Sequence, residues 1–449
     1  MGPKKRGITL LFLLEFFIFG IQAQTQRLLT DHLDKSNQKG LLKLKNRRPM
    51  LNFYSASTGT VNSVRAMKEC IENSLSGNDT PTSDQVNLLV LHSTIGHDFK
   101  QLLQTAKELC PNAAIVGCTC AGVIGREGAN ESMRALGIML VHSDDPSEIR
   151  VASCENIRGE NSFEMAKDMA NQLGSDVNMV MILASGIDIA ADKAIEGIEA
   201  AIEGDIPIFG GTSSDNMRAI SSYQFSNSQV LERGAILVGF ADPSLEIAMG
   251  VHHGSVPIGQ PFQVTKSDKN RVYELDGKAA WPLLMDKLGM PQDSHPGPCI
   301  PVAGMGELLP DDLHEEYDNK HILRVIVKVD QADGSFYMPV DCPEGTDLWV
   351  TQRDEELIFN GLERMMGKMK DQIGERKLAA VFHTDCAARG RALFNKVLKD
   401  EIIARMQTPL VQSENIPWLG MYGFGEFTQL NGKNYFHNYT TSLYALVRK

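Results

Sequence analysis

Several things are scarce in this chain, and each scarcity closes off a class of function. Cysteine is one: eight in 449 residues are too few for a disulfide scaffold. No C-x-x-C pair occurs, and no His/Cys cluster has the spacing of a zinc site. Clustered positive charge is another. The net charge is −12, with no concentrated Lys/Arg stripe. A phosphate backbone needs such a stripe, so nucleic acid is excluded as the main partner. Long apolar runs are also scarce, and the N-terminal one falls short of the ~20 residues of a comfortable membrane helix. What remains is ordinary for a globular protein. Apolar residues make up 43% and charged residues 22%, which allows a sizeable core. The length suits two or three domains, at about 100–200 residues each.

The N-terminus departs from this. Lys4, Lys5 and Arg6 precede the apolar run Ile8–Ile21, and Ala23 could end a cleavage site. Positive, apolar, small is the order of a secretory signal, so residues 1–23 read as a signal peptide or an N-terminal anchor. Glu15 interrupts the run, and no Cys follows closely enough for lipid attachment. A genuine signal makes the protein secreted or extracytoplasmic; a mere upstream extension leaves it cytoplasmic. No other membrane span is expected. Residues 24–49 read as a polar, basic tether ending in Lys43-Leu44-Lys45-Asn46-Arg47-Arg48-Pro49. Such a run is a solvated linker in the plain reading and a surface-binding segment in the sharper one. The globular part starts at Met50. Its halves divide near His253–Gln260, giving 50–255 and 256–449.

One pattern then occurs three times. Val86–Ser93 is a strand-like apolar run, Asp98–Cys110 has helical spacing, and Ala113–Cys118 is a second strand. Val177–Leu183, Asp188–Glu203 and Ile206–Phe209 repeat it. Leu378–His383, Arg389–Met406 (with Leu393, Val397, Ile402 and Ile403) and Ile416–Met421 give a weaker third copy. Continuous apolar runs suit parallel strands buried on both faces, and a helix must cross between them. Antiparallel-looking strands lie between the units, and Asn431-Gly432 is a strong hairpin signal. Residues 290–320, rich in Pro, Gly and acid, read as a long exposed loop. The predicted class is α/β: repeated βαβ units with mixed parallel and antiparallel sheets, in two tightly associated halves.

Each unit ends in glycine and small residues: Gly117-Cys118-Thr119-Cys120-Ala121-Gly122, Gly210-Gly211-Thr212-Ser213-Ser214-Asp215, and Gly423-Phe424-Gly425-Glu426. In open α/β sheets, ligands bind outside the carboxyl ends of the strands, and small residues there let backbone N–H groups approach an anion. Glycines that merely relieve tight turns are the plainer account of any single stretch. Cys118 and Cys120 share one strand face, but two thiols do not make a zinc site and small packing residues are the default. In His383-Thr384-Asp385-Cys386-Ala387-Ala388-Arg389, Asp385 caps the next helix in the bland reading; in the other, Arg389 pairs a carboxylate bidentately. Glu426, His437, Asn438 and Thr440 face each other across the hairpin, either as a satisfied network or as a ligand site. The sequon at Asn438 lies in a probable strand and is read as chance.

These residues carry a family resemblance. Met50-Leu51-Asn52-Phe53, Val116–Gly122 and Phe209–Asp215 resemble the N-terminal half of FIST-domain proteins. Val272-Tyr273-Glu274-Leu275-Asp276-Gly277-Lys278-Ala279-Ala280 resembles the opening of the FIST C domain. Cys386-Ala387-Ala388-Arg389, Gly420–Glu426 and His437-Asn438-Tyr439-Thr440 resemble its end. The resemblance implies a sensory module that binds small ligands, amino acids among them, in signal transduction. Some members look like haem-based gas sensors, and eukaryotic relatives join the module to an F-box. Here residues 1–49 carry no recognisable F-box.

The resulting expectation is a non-catalytic sensory protein. Its ligand, an amino acid or similar carboxylate, is expected among Gly117, Cys118, Thr119, Gly122, Gly210, Gly211, Ser213, Asp215, Cys386, Arg389, Tyr422, Glu426, His437 and Asn438. Arg389 would hold a carboxylate and Glu426 an amine or hydroxyl, and an unidentified signalling partner or an oligomer would receive the signal. No metal or cofactor is expected. Three rivals stay open. One is a haem sensor with His92, His252, His383 or His437 as axial ligand. Another is an interaction scaffold akin to the substrate-recruiting part of a ubiquitin ligase, with purely structural Gly turns. The third is a hydrolase or transferase using Cys118 or Cys386.

Overall fold

The computed structural model describes residues 50–300, 304–390, 396–411 and 415–449. The signal-like segment, the tether and Leu393 fall outside the described residues. Among these, no helix is long and apolar enough to cross a membrane.

The three units form, each around a parallel pair. Leu88–Ser93 lies beside Ala114–Thr119, Met179–Ser185 beside Ile208–Ser213, and Leu378–Cys386 beside Trp418–Gly423. Leu88–Ser93, Met179–Ser185 and Ile208–Ser213 are buried along their whole length, which is what the unbroken apolar runs require. Each pair sits in the middle of a six-stranded sheet with the same order of directions. Two antiparallel strands flank it on one side and an antiparallel hairpin closes the other.

The hairpins are exchanged in a ring. Tyr223–Glu232 follows the second unit's strand Ile208–Ser213 but pairs with the first unit's Ala114–Thr119. Gly425–His437 follows the third unit's Trp418–Gly423 but pairs with the second unit's Ile208–Ser213. Val123–Asn130 follows the first unit's Ala114–Thr119 but pairs with the third unit's Trp418–Gly423. The strand Leu245–His252, placed in the first half by its sequence position, lies in the third sheet against Thr441–Arg448.

The inner faces of the three sheets meet in one core. Phe209 stands among Phe240, Phe382 and Tyr444, with ring centroids 6.2, 5.8 and 5.4 Å away, and Cys118, Met181 and Met421 join them. Helices cover the outer faces. Ser63–Ser74 and Phe99–Leu109 pack on the first sheet, Ser162–Leu173 and Ala191–Ala201 on the second, and Glu355–Ile373 and Lys396–Val411 on the third. Local chemistry starts several of them: the side chains of Asn62, Asp98 and Asp354 accept the first free amides. A fourth sheet of eight strands, built mainly on Ser255–Asp268 and Asp347–Arg353, carries its own core around Trp281 and Phe336.

Three expectations need correction. The stretch through Gly210 and Gly211 is strand up to Ser213 rather than a turn after it, because the exchanged hairpin gives its backbone a second partner. Residues 290–320 are not one loop. They hold the helical turn Pro296–Cys299, the strand Gly304–Leu308 and the helix His314–Tyr317, with Met305, Leu309, Leu313 and Tyr317 buried. The third unit's helix, expected from Arg389, is described over Lys396–Val411, and Ala387–Arg389 make a separate 3₁₀ turn. Asp385 lies in the strand and caps no helix start among the described residues.

Close strand packing explains two of the glycines. A Cβ on Gly117 would stand 2.0 Å from Leu91 O; one on Gly210, which has φ +118°, would stand 2.3 Å from Ile182 O. Both carbonyls belong to the neighbouring parallel strand and cannot move away. Gly117→Ala and Gly210→Ala should each cost about 3 kcal/mol or more in chemical denaturation. Gly128→Ala, also at positive φ but in open space, should cost only about 1 kcal/mol.

Candidate functional site

The three glycine-rich ends converge. Ser214 N donates to Thr119 O at 3.0 Å, Phe424 N to Thr212 O at 3.2 Å, and Tyr422 N to Gly122 O at 2.9 Å. Ala121 N reaches Tyr422 O at 3.0 Å and Ser214 Oγ at 2.9 Å, and that hydroxyl donates to Tyr422 O at 2.6 Å. The amides at Ala121, Ser214, Tyr422 and Phe424 are therefore engaged with the other units.

Several expected site residues belong to this junction and are committed there. Thr119 Oγ1 accepts from Tyr223 N at 2.9 Å. Ser213 Oγ bonds to Ala184 O, Ser222 Oγ and Gln224 Nε2 at 3.1, 2.9 and 2.6 Å. Gly211 leaves no room for a side chain against Thr384 and Met421, nor does Gly122 against Glu131 and Tyr422. Cys118 is enclosed in the central core, 3.6 Å from His92 Nδ1 and 3.4 Å from Met421 Sδ, and burial raises its thiol well above the usual range. Asp215 has a local role instead. Its carboxylate accepts the amides of Arg218, Ala219, Ile220 and Ser221 at 2.8–3.4 Å and so shapes the loop that follows.

That loop is one wall of a cleft. Met217 and Ala219 face Gly186 and Ile187 at the end of the second unit's first strand, and Cys386, Ala388 and Phe424 from the third unit. Pro296, Gly297, Ile300, Val325, Ile326, Val327 and Tyr439 complete it. The space between these walls measures about 530 Å³, part of it open to solvent. Of the expected residues, Cys386 lines the cleft directly. Asn438 ties its walls together: Nδ2 donates to Phe424 O at 3.0 Å, and Oδ1 accepts from Val325 N at 3.1 Å.

A buried polar network lies next to the cleft. Arg389 is 3% exposed; its Nε donates to Asp385 at 2.9 Å and its Nη1 to His253 O at 3.0 Å. Its Nη2 has no partner among the described residues. The His253 ring packs 5.3 Å from Tyr317, and Tyr317 packs 5.4 Å from His437, with Tyr317 Oη 3.3 Å from His437 Nδ1. Glu426 stands opposite His437 in the hairpin and accepts from Thr440 Oγ1 at 2.7 Å. Glu426 Oε1 and His437 Nε2 are likewise unpartnered among the described residues. Burial sets the protonation states: it pushes Glu426 and Tyr422 up, His437 well down, and His252 and His253 down to about 3.

Sequence reasoning missed Tyr317, His253, Val325–Val327 and the Pro296–Ile300 wall. One signal was available. Leu309, Leu313 and Tyr317 recur every four residues inside the segment read as a loop, the spacing of a buried helical face. Of the four histidines considered for haem, His437 belongs to this network and the other three have partners of their own. His92 is in the central core, His252 Nε2 bonds Leu357 O at 3.1 Å, and His383 Nε2 bonds Thr441 Oγ1 at 2.9 Å. Among the described residues no cluster of three or more His, Cys, Asp or Glu could hold a metal ion.

This is an α/β module of three interlocked units with a largely apolar cleft at their strand ends. The FIST N domain matches residues 87–278 and the FIST C domain residues 280–429; the chain belongs to the FIST family, whose domains are recognised as sensory, small-ligand-binding modules. It is 23% identical over 355 residues to the uncharacterized protein Rv0628c of Mycobacterium tuberculosis, covering 77% of this chain and 87% of that one. The uncharacterized protein Mb0898c of Mycobacterium bovis is 21% identical over 399 residues, covering 87% and 98%. Among solved structures, a cyanuric acid hydrolase from A. caulinodans covers 89% of this chain and 100% of its own at 8% identity, with a TM-score of 0.33. That likeness is too distant to inform the chemistry of this chain.

The buried Glu426 makes stability depend on pH in a defined direction. Its folded carboxyl holds a proton that the unfolded chain releases above about pH 4.3. The contribution is fully present below that pH and is lost as pH rises. Glu426→Gln, which mimics the protonated acid and still accepts from Thr440, should melt a few degrees above the parent at pH 7.5. The gap should close by pH 4.5 in scanning calorimetry. The histidines act oppositely: His252 and His253, held neutral down to about pH 3, contribute stability above pH ~6.5 that is lost as pH falls. The parent's melting temperature should therefore drop between pH 6.5 and 4.5.

Proposed function

We propose that this is a non-catalytic sensory protein that binds a small ligand, an amino acid or similar carboxylate, in the cleft at the strand ends. The observation that carries the reading is the composition of the walls. Strand ends of the second and third units face Pro296–Ile300 and Val325–Val327 from the C-terminal half. A ligand seated there touches both halves and stabilises their closed arrangement, which is how a binding event becomes a signal to a partner protein or an oligomer.

The apolar walls, with Arg389 buried behind them rather than lining them, support a ligand with an apolar body and one anionic end. Ile187, Met217, Ile300, Val325, Ile326 and Phe424 supply apolar surface. Arg389, on the turn that carries Ala388, has a guanidinium nitrogen unspent among the described residues. Leaving such a donor buried without a partner costs about 1–3 kcal/mol, which a ligand oxygen would recover. The thiols support the absence of catalysis. Burial raises both Cys118 and Cys386 well above the usual thiol range, and the thiolate is the nucleophile. The signal-like residues 1–23 support an extracytoplasmic setting.

Thermal-shift screening with amino acids and related carboxylates tests this. At least one should raise the melting temperature by 2 °C or more, a shift of about 2 kcal/mol or more for a chain this size. Val325→Trp, at the half-buried lip, should fill the cleft and abolish that shift while the free protein melts as the parent does. No shift with any compound, or an undiminished shift in Val325→Trp, counts against the reading. Mass spectrometry of the recovered ligand should show it unchanged; conversion would establish an enzyme instead.

A further inference from the structure

A group of sulfurs behind one cleft wall has no part in the reading above. Met285 lies in the last turn of the helix Ala280–Leu288, which ends at Gly289 in the left-handed conformation. This cap turns the chain back, so that Met290 N donates to Met285 O at 2.9 Å. Two methionines five residues apart thus come to the same place. Cys299, at the end of the turn Pro296–Cys299, meets both: its Sγ is 3.8 Å from Met285 Sδ and 3.8 Å from Met290 Sδ. The one proton of the thiol also has a carbonyl acceptor, His295 O at 3.9 Å, so neither sulfur contact is needed to satisfy it.

We propose that Cys299, Met285 and Met290 form a three-sulfur site for a soft monovalent cation, copper(I). Three considerations support it. The first is ligand type: thiolate and thioether sulfur select copper(I) among the biological metals. The second is spacing. At a metal–sulfur length of about 2.3 Å, the value for a thiolate on zinc, a trigonal ion holds its ligand sulfurs about 4 Å apart, close to the two separations observed. The third is charge. Cys299 and Met285 are 5% and 0% exposed, within the apolar core around Trp281, Leu284 and Phe336. One thiolate and one monovalent cation cancel, and the thioethers are neutral, so the loaded site buries no net charge. A divalent ion on the same ligands would leave one uncompensated positive charge in that core.

The binding step is an exchange. The cation forms a bond to Cys299 Sγ, the S–H bond breaks, and the proton leaves to solvent; no electron is transferred. Burial holds the free thiol's pKa at about 11, so loading at neutral pH must release about one proton per ion. Access is by way of Met290, which is half-buried and begins an exposed stretch through Pro291, Gln292 and Asp293.

The full chain, reduced and free of oxygen, should be titrated against copper(I) held by bathocuproine disulfonate. The parent should withdraw one equivalent from the chelator. Met290→Leu, which keeps the apolar volume at a half-buried position, should weaken the uptake at least tenfold, as should Cys299→Ser. Silver(I) should compete and zinc(II) should not. The metal-free Met290→Leu variant should melt with the parent, which separates loss of the site from loss of the fold. A parent that withdraws no copper overturns the proposal. So does a Met290→Leu, Cys299→Ser double variant that withdraws as much as the parent, because the copper would then be on another of the eight cysteines.

Discussion

The hydrogen bonds that join Thr119 to Ser214, Thr212 to Phe424, and Ala121 and Gly122 to Tyr422 bring three remote parts of the chain to one point. They are backbone bonds in a largely buried place, so each orphaned group would cost free energy on the scale of a lost hydrogen bond. None can form until at least two units are present. The hairpins impose the same condition on a larger scale, since each sheet is finished by strands that another unit supplies. The cleft exists because these two conditions are met, for its walls are the segments that run out of the junction: Phe424, Cys386 and Ala388, and the loop folded by Asp215.

Around that junction, polar side chains do two kinds of work. Asp215, Ser213, Thr119 and Asn438 spend their bonding capacity on backbone and hold loops at fixed separations. Arg389, Glu426 and His437 keep atoms unspent among the described residues, in surroundings that penalise charge. The Arg389–Asp385 pair is nearly fully buried on both sides, so removing one member would strand the other at a cost of about 3–5 kcal/mol. A neutral Glu426 and a neutral His437 avoid that penalty, which is why burial moves them in opposite directions.

The βαβ units were legible because parallel strands buried on two faces must be apolar throughout, and Leu88–Leu91, Met179–Leu183 and Ala380–Phe382 show it in the letters. Asn431-Gly432 was legible because both residues need positive φ, and they have 48° and 79°. The exchange of hairpins was not legible. Alternation in Tyr223–Ser226 says that one face is buried, but not which strand it lies beside. Pro, Gly and acid between 290 and 320 hid Met305, Leu309, Leu313 and Tyr317, whose burial depends on a sheet built from distant segments. At the site, the positions of Cys386, Arg389, Glu426, His437 and Asn438 could be read as one neighbourhood, whereas their duties could not. Whether Asn438 meets a ligand or Val325 N depends on a segment more than a hundred residues away.

Hairpins handed round a ring of three are what separate copies of one unit would do as a swapped trimer. Such an assembly would come apart on dilution, because its stability is tied to protomer concentration. Here the same contacts are intramolecular. Covalent linkage turns a third-order association into a first-order folding step, and leaves each of the three strand ends free to carry a different sequence. An asymmetric cleft on a symmetric frame is the result.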